Sequence, residues 1–427
     1  MGAFSRAAQA PSSRKTKVVV SGVALISAAA IALSGCASSP EAETPTPGEE
    51  LALKIGTALP QTGNLAFLGP PEEAGVAYAA SQVNDYAETT GLDLDVVYGD
   101  SGDTDNKAYE TEIPRLLGED VSAIIGAASS GTSLKFIDQV VGAGVIQFSP
   151  ANTSDAFTTY DDNGLYFRTA PSDVLQGEVL GNLIAEDGNQ TLGMIVLNDS
   201  YGTGLAKYVS EAFTAAGGTV VAEPTYNTGD TNFSAQISEV LAAKPDAIAL
   251  ITFDEVSTIL PNLVSQFPAD KLYFVDGNLK NFGDAFPEGT LAGAKGTLPG
   301  LSVDSISDFT GELDAFLESE GDEPLEDYSY AAESYDAVIL IALASLAAQS
   351  TEGTDIAAKL VEVSGGSGDG EKCTSYADCA DIILSGGVAD YDGISGPITF
   401  DEVGDPTEAS IGIYQYGDDN NYTAYNG

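Results

Sequence analysis

The chain has 427 residues, 64 Asp plus Glu against 16 Lys plus Arg, 43% hydrophobic residues and no histidine. Such a field repels phosphate backbones and anionic head groups, which argues against nucleic acid and against a polybasic membrane contact. Without histidine there is no Ser-His-Asp or Cys-His arrangement and no His-containing zinc site, and no G-x-x-x-x-G-K-[ST] string occurs, so the chain reads as a binder with no cofactor and no metal.

The chain opens with Arg6, Arg14, Lys15 and Lys17 and no acid, followed by an apolar run over 18–33 that ends in Leu33-Ser34-Gly35-Cys36. This is an export signal, too short and too interrupted by Ser21, Gly22 and Ser27 to span a membrane comfortably. The tetrapeptide resembles the bacterial lipobox, which implies a signal peptide over 1–35 and a lipid on Cys36. Removing that leader leaves 12 bases against 64 acids, a net charge of −52. Residues 36–50 are Ser, Pro, Thr and Glu with little to bury, the composition of a flexible tether. The roughly 375 residues beyond exceed the size at which one core usually stops growing, about 250 to 300, so two lobes are expected.

From Leu51 the sequence alternates short apolar runs with amphipathic segments, the pattern of β-α-β units around parallel sheets. Strands are expected at 51–59, 93–100, 122–128 and 144–150. Helices are expected on the Val76, Ala80, Val83, Ala87 face and over 132–141. The rhythm restarts after Arg168-Thr169-Ala170-Pro171 with a helix over 174–186, a strand over 191–199 and a helix over 205–216. Strands at 218–226, 246–253 and 271–277 follow. An Ala-rich helix over 331–349 reads as buried on one side, and 396–416 reads as a two-stranded ending with its turn at Gly404-Asp405-Pro406.

Asp100, Asp103 and Asp105 superficially resemble a calcium loop but lack the downstream glutamate, so a solvated acidic turn is the reading. Cys373 and Cys379 in an exported chain read as a small disulfide loop; a zinc pair would lack further ligands. Hydroxyls and glycines gather at strand-to-helix junctions. Ser129 and Ser130 follow one strand, with the amides of Gly131, Thr132 and Ser133 opening the next helix, a place for an anion. N-capping by one of these serines is the plain alternative. Thr153 follows the neighbouring strand and should approach Ser130.

The strings LPQTGNLAFLG, IIGAASSGTS, FSPANTS, LNDSYGTGLA and GPITFDEVGD fall in the order seen in the substrate-binding proteins of branched-chain amino acid ABC transporters, and the resemblance runs from about Leu53 to Tyr416. It implies a type I periplasmic binding fold, two doubly wound α/β lobes joined by three crossovers with the ligand in the cleft between them. Crossovers are expected near 169–172, 297–300 and 393–397. The first lobe would then be 51–170 plus 300–395 and the second 171–299 plus 396–427. The resemblance gives Ser130 and Thr153 to the ligand carboxylate, Ala151 to a backbone contact, Tyr201 and Phe253 to closing aromatics, and Leu68 to the first-lobe pocket. Asp276 would pair with the ligand ammonium, or Asn278 if the register slips by two. The implied activity is capture of an amino acid outside the cell membrane for the permease and ATPase subunits of an importer, with membrane contact only through the lipid. A ligand-sensing receptor is the alternative, as is a binder of an amide, urea or aromatic acid.

Overall fold

Two parallel sheets organise the protein, and the computed structural model describes residues 50–425 of it. The leader, Cys36 and the tether up to residue 49 lie outside the described residues.

The first sheet runs Leu92–Val97, Leu51–Ala58, Ala123–Gly126, Ile146–Ser149, Tyr166–Arg168, with every neighbouring pair parallel. Its central strands are apolar on both faces because helices cover both sides. The Gly69–Asp85 and Ala331–Ala348 helices pack together on it, and Ile125, Ile137, Phe148, Val338 and Leu343 share one core. Residues 331–346 of the Ala-rich helix are buried on every face, more than the one-sided burial expected, since the sheet, the Gly69–Asp85 helix and the Gly353–Val363 and Tyr376–Leu384 helices surround it.

The second sheet places Thr191–Leu197, Ala247–Ile251, Leu272–Phe274 and Lys295–Pro299 in parallel order, with Thr219–Ala222 at one edge. The single strand expected over 218–226 breaks at Pro224, which has no N–H to give, and resumes as Thr225–Tyr226. The expected turn at Gly404-Asp405-Pro406 forms, with Phe400 bridged antiparallel to Pro406 and the Thr407 amide donating to Thr399 O at 3.0 Å, but the strands on either side do not pair with each other. Gly396–Pro397 pairs with Ala389–Gly393, whereas Ile411–Tyr416 joins the second sheet antiparallel to Lys295–Pro299 and then pairs with Tyr422–Ala424. The two halves of that segment thus serve different sheets. Ile398 and Phe400 pack in the first core, with Phe400 5.8 Å from Phe148 and 5.4 Å from Phe167 between ring centroids.

Cys373 and Cys379 are joined as a disulfide that ties Glu371–Cys373 to the Tyr376–Leu384 helix. The acidic turn is only partly solvated: Asp105 is exposed and Asp100 half-buried, while Asp103 is buried. Asp100 accepts the amides of Gln61, Thr62 and Gly102, and Asp103 accepts those of Asn64, Asp105 and Asn106, so the two carboxylates fix the 60–64 loop.

Candidate functional site

In an open parallel sheet the loops at the carboxyl ends of strands converge on one crevice. Here two sheets face each other through such loops. Leu68 follows the first strand of one sheet, Ser130 its third and Ala151 its fourth; Tyr201, Phe253 and Asp276 follow three strands of the other. All six line one cavity with about 10 Å³ of free volume, the room of about one water. Thr153 does not reach its wall.

On the first-lobe side a hydrogen-bond network sets the loops. Ser149 Oγ and Asn152 Nδ2 both donate to Ala127 O, at 2.7 and 2.9 Å, and Asn152 also donates to Ala128 O at 2.8 Å. These bonds hold the 127–130 and 149–154 loops side by side. Ser129 caps the Ser130–Gly142 helix by accepting the Thr132 amide at 3.2 Å. Ser130 is therefore free of capping; its Oγ accepts the Ser154 amide at 3.3 Å and keeps its own proton for another partner. The capping taken by Ser129 and the Ser133 amide bonded to Ser129 O remove two of the three amides expected to face an anion. Asp199 of the second lobe lies against Gly131, where a Cβ would come within 2.7 Å of its Oδ2, so an acid of the chain itself stands at this helix start. Burial raises that carboxyl to about 6.

Thr153 lies one layer behind, wholly buried, with the Asp173 amide donating to its carbonyl at 2.7 Å. Its hydroxyl and both Asp173 oxygens form no well-aligned hydrogen bond, although the hydroxyl is near enough to favour the carboxylate form. Burial, and then the charge of Asp276, nevertheless hold the Asp173 carboxyl well above the ordinary range.

On the second-lobe side Asp276 is the cavity's one carboxylate among the described residues. Tyr201 Oη donates to its Oδ1 at 2.7 Å, Gln176 Nε2 to the same oxygen at 3.0 Å, and Tyr330 Oη to Oδ2 at 2.9 Å. Burial raises its pKa above the ordinary value, and these three donors oppose that rise without cancelling it. Tyr201 stacks on Phe253 at 5.2 Å and 20°, forming one aromatic wall. Asn278 instead spends its side chain on its own sheet, accepting from the Val275 amide and donating to Leu250 O and Thr252 Oγ1.

Sequence reasoning missed Tyr330, Gln176 and Asp173. Tyr330 precedes a helix in left-handed backbone at φ +61°, and no motif marks it. Gln176 and Asp173 sit in the first turn of a helix expected over 174–186, where no side chain was singled out.

Further bonds cross the cleft. Asn64 Nδ2 donates to Glu255 Oε1 at 2.7 Å, the Asp254 amide to Asn64 O at 3.2 Å, and Ser154 Oγ to Ser200 O at 3.1 Å; Tyr208 pairs with Asp155. The lobes are closed on each other. A separate groove of about 590 Å³ lies outside the cavity, where Lys280 sits over Phe67 and Phe282, and it contains none of the expected site residues.

Behind the site Arg168 is fully buried. Its Nε and Nη2 bind Asp405 Oδ1 and Oδ2 at 2.6 and 2.8 Å, while Nη1 donates to the carbonyls of Asn152 and Ser154. One guanidinium thus anchors the 152–154 loop to the segment near residue 405.

The Leucine-, isoleucine-, valine-, threonine-, and alanine-binding protein of Pseudomonas aeruginosa is 31% identical over 218 residues, covering 50% of this chain and 56% of that protein. The chain thus spans a little over half the length of the first curated relatives it matches. The Leu/Ile/Val-binding protein homolog 1 of Brucella abortus is 26% identical and covers 81% of this chain and 88% of its own. The fold matches the substrate-binding protein LivJ of Streptococcus pneumoniae in complex with isoleucine, with TM-score 0.69, 21% identity and coverage of 88% and 99%. It also matches a solute-binding protein of Rhodopseudomonas palustris in complex with benzoate, with TM-score 0.67, 18% identity and coverage of 87% and 95%. The model of the periplasmic binding protein family matches residues 52–371, well over half of the sequence, and this chain belongs to that family.

Proposed function

We propose that the protein is an extracytoplasmic solute-binding lipoprotein, anchored through Cys36, that captures an amino acid of branched-chain type or a related small polar compound and delivers it to the permease and ATPase subunits of an ABC importer. One observation carries this reading: a single cavity between two lobes has a buried carboxylate, Asp276, on one wall and the hydroxyl of Ser130 at a helix start on the other. Such a pair of ends suits a zwitterion, ammonium to Asp276 and carboxylate to Ser130. Leu68 and the Tyr201–Phe253 stack supply apolar surface for a side chain. The names of the Pseudomonas and Brucella relatives support the same ligand class.

Each lobe offers half of the site, so a ligand that touches both favours the closed state. The cavity is too small for any amino acid as it stands, and entry requires the lobes to part. In this reading the first lobe is 51–170 plus 301–406 and the second 171–300 plus 407–425. The third crossing moves about ten residues later than the sequence implied because Ile398 and Phe400 pack in the first core.

An aromatic acid is the second reading, favoured by the Tyr201–Phe253 stack and by the benzoate complex of the Rhodopseudomonas protein. The buried Asp276 opposes it, since a second anion in that cavity is repelled. A thermal-shift screen over amino acids, amides and small organic acids, followed by calorimetry, separates the two. A rise in melting temperature with aliphatic amino acids supports the proposal; a response confined to aromatic acids overturns it.

A further inference from the structure

A small cavity of about 20 Å³ sits where the three crossings between the lobes meet. Thr169 and Pro171 line it from the first crossing, Gly300 from the second, Pro406 and Ser410 from the third, and Ser395 from the first lobe beside it. The crossings hold one another, with the Gly300 amide donating to Ser410 O at 2.9 Å and Ser410 Oγ donating to Gly300 O at 3.1 Å. Glu333, in the first turn of the Ala331–Ala348 helix, enters this cavity and is 6% exposed. Thr169 Oγ1 donates to its backbone carbonyl at 3.0 Å. Its carboxylate lies against Gly300, where a Cβ would fall 2.2 Å from Oε1, so both the missing side chain and the φ of +93° at Gly300 make room for it.

We propose that Glu333 is a proton-operated switch of the hinge: closing the lobes seals its carboxyl among the three crossings and takes a proton from solvent, and opening them wets the carboxyl and returns that proton. Any bend of the crossings reshapes a cavity that all three enclose, so the solvation of Glu333 changes with lobe position. This inference rests on the hinge reading given above.

Among the described residues no Lys or Arg lines this cavity. Glu408, exposed, lines the cavity from the third crossing, and Glu72 approaches from the Gly69–Asp85 helix, its carboxyl held well above the usual range by burial. Asp336 lies one turn along its own helix, its oxygens taken by Tyr391 and Ser395. Tyr330 and Tyr414 add only hydroxyls, both raised by burial. In the closed form burial, relieved by its own amide and reinforced by Asp336, pushes Glu333 up to about 8 from an ordinary 4.5. Below both values the carboxyl is neutral in either state and closure is most favourable. Between them closure takes up a proton, and the closed-to-open ratio falls by up to about tenfold per pH unit as pH rises. Above about 8 both states are ionised and closure is least favourable.

Spin labels on Glu110→Cys and Glu211→Cys, exposed on opposite lobes, report the distance between the lobes by pulsed electron resonance on the ligand-free chain. The expected result is a distance that lengthens from about pH 6 to about pH 9, stays short throughout in Glu333→Gln, and follows the parent in Glu408→Gln. A parent distance that ignores pH overturns the switch, as does a Glu333→Gln protein that responds like the parent or a response lost only in Glu408→Gln. Saturating L-leucine in the same samples tests the ligand reading separately. Closure by leucine with no response to pH sinks the switch alone, whereas a pH response without closure by leucine leaves the switch standing and counts against the ligand.

Discussion

Tyr330 Oη lies 2.9 Å from Asp276 Oδ2 and reaches that carboxylate from the first lobe, whereas its other side-chain donors, Tyr201 and Gln176, belong to the second. The acid proposed to hold the ligand ammonium is therefore also a point where the lobes touch. Its two bonds at Oδ1 fill that oxygen, and Oδ2 keeps an acceptor site beside Tyr330.

Asp276→Asn should weaken an amino acid by about 1.5 to 3 kcal/mol, roughly ten- to 150-fold in dissociation constant, because the ammonium loses a charge-assisted bond in a dry cavity. A carboxylic acid of the same shape without the amino group should bind the variant better than the parent, because the charge that repels a second anion is gone. Calorimetry on both compounds decides the matter; equal losses would remove the ammonium role from Asp276.

The two neighbouring serines should part company. Ser129→Ala removes a helix cap and should lower unfolding stability by about 0.5 to 2 kcal/mol, with a smaller loss of affinity than Ser130→Ala although Ser129 also lines the cavity. Ser130→Ala should do the reverse, with a loss of about 1.5 to 3 kcal/mol in binding and a melting temperature near that of the parent. Affinity that survives in Ser130→Ala would move the carboxylate site elsewhere.

Arg168→Met strands Asp405 and two loop carbonyls and should destabilise the protein by about 3 to 5 kcal/mol in denaturant titration. The double change Arg168→Met with Asp405→Leu removes both charges and should be the more stable of the two variants. A double variant weaker than the single one would show that the pair contributes more than its own desolvation.

Replacing Cys373 and Cys379 by serine opens a loop whose ends are 6 residues apart in sequence. On chain-entropy grounds the loss is about 2 kcal/mol of stability. The disulfide lies in the first core, away from the cleft, so ligand affinity should not change. A folded double-serine variant with weakened binding would contradict this.

The strands were legible because their apolar runs are short, regular and bounded by Gly and Pro, and the site loops were legible because each follows a strand end. The failures have local causes. Residues 396–416 carry a strand pattern at both ends, and periodicity does not say which sheet each end joins. Asp100 and Asp103 looked solvated because sequence does not show the six amides that turn toward them. Thr153 was given to the ligand carboxylate by the family resemblance and by its place after the strand next to that of Ser130, yet the turn that presents Ala151 to the cavity carries Thr153 back toward Asp173. Tyr330 gave no signal, since its role depends on a left-handed residue at the start of a helix that returns from the far half of the chain.

That return has a consequence for how the molecule comes into being. The Ala331–Ala348 helix fills the centre of a core whose first strand begins at Leu51, nearly 300 residues earlier. The other sheet receives its last strands only at Ile411–Tyr416 and Tyr422–Ala424. Neither half can finish its interior while the chain is still emerging, so the native contacts are dominated by distant pairings, which slow the search for the native state. A chain that lacks its last strands is expected to stay loose. Truncation by as few as fifteen residues at the carboxyl end should trap it there, with the edge of Lys295–Pro299 exposed to aggregation.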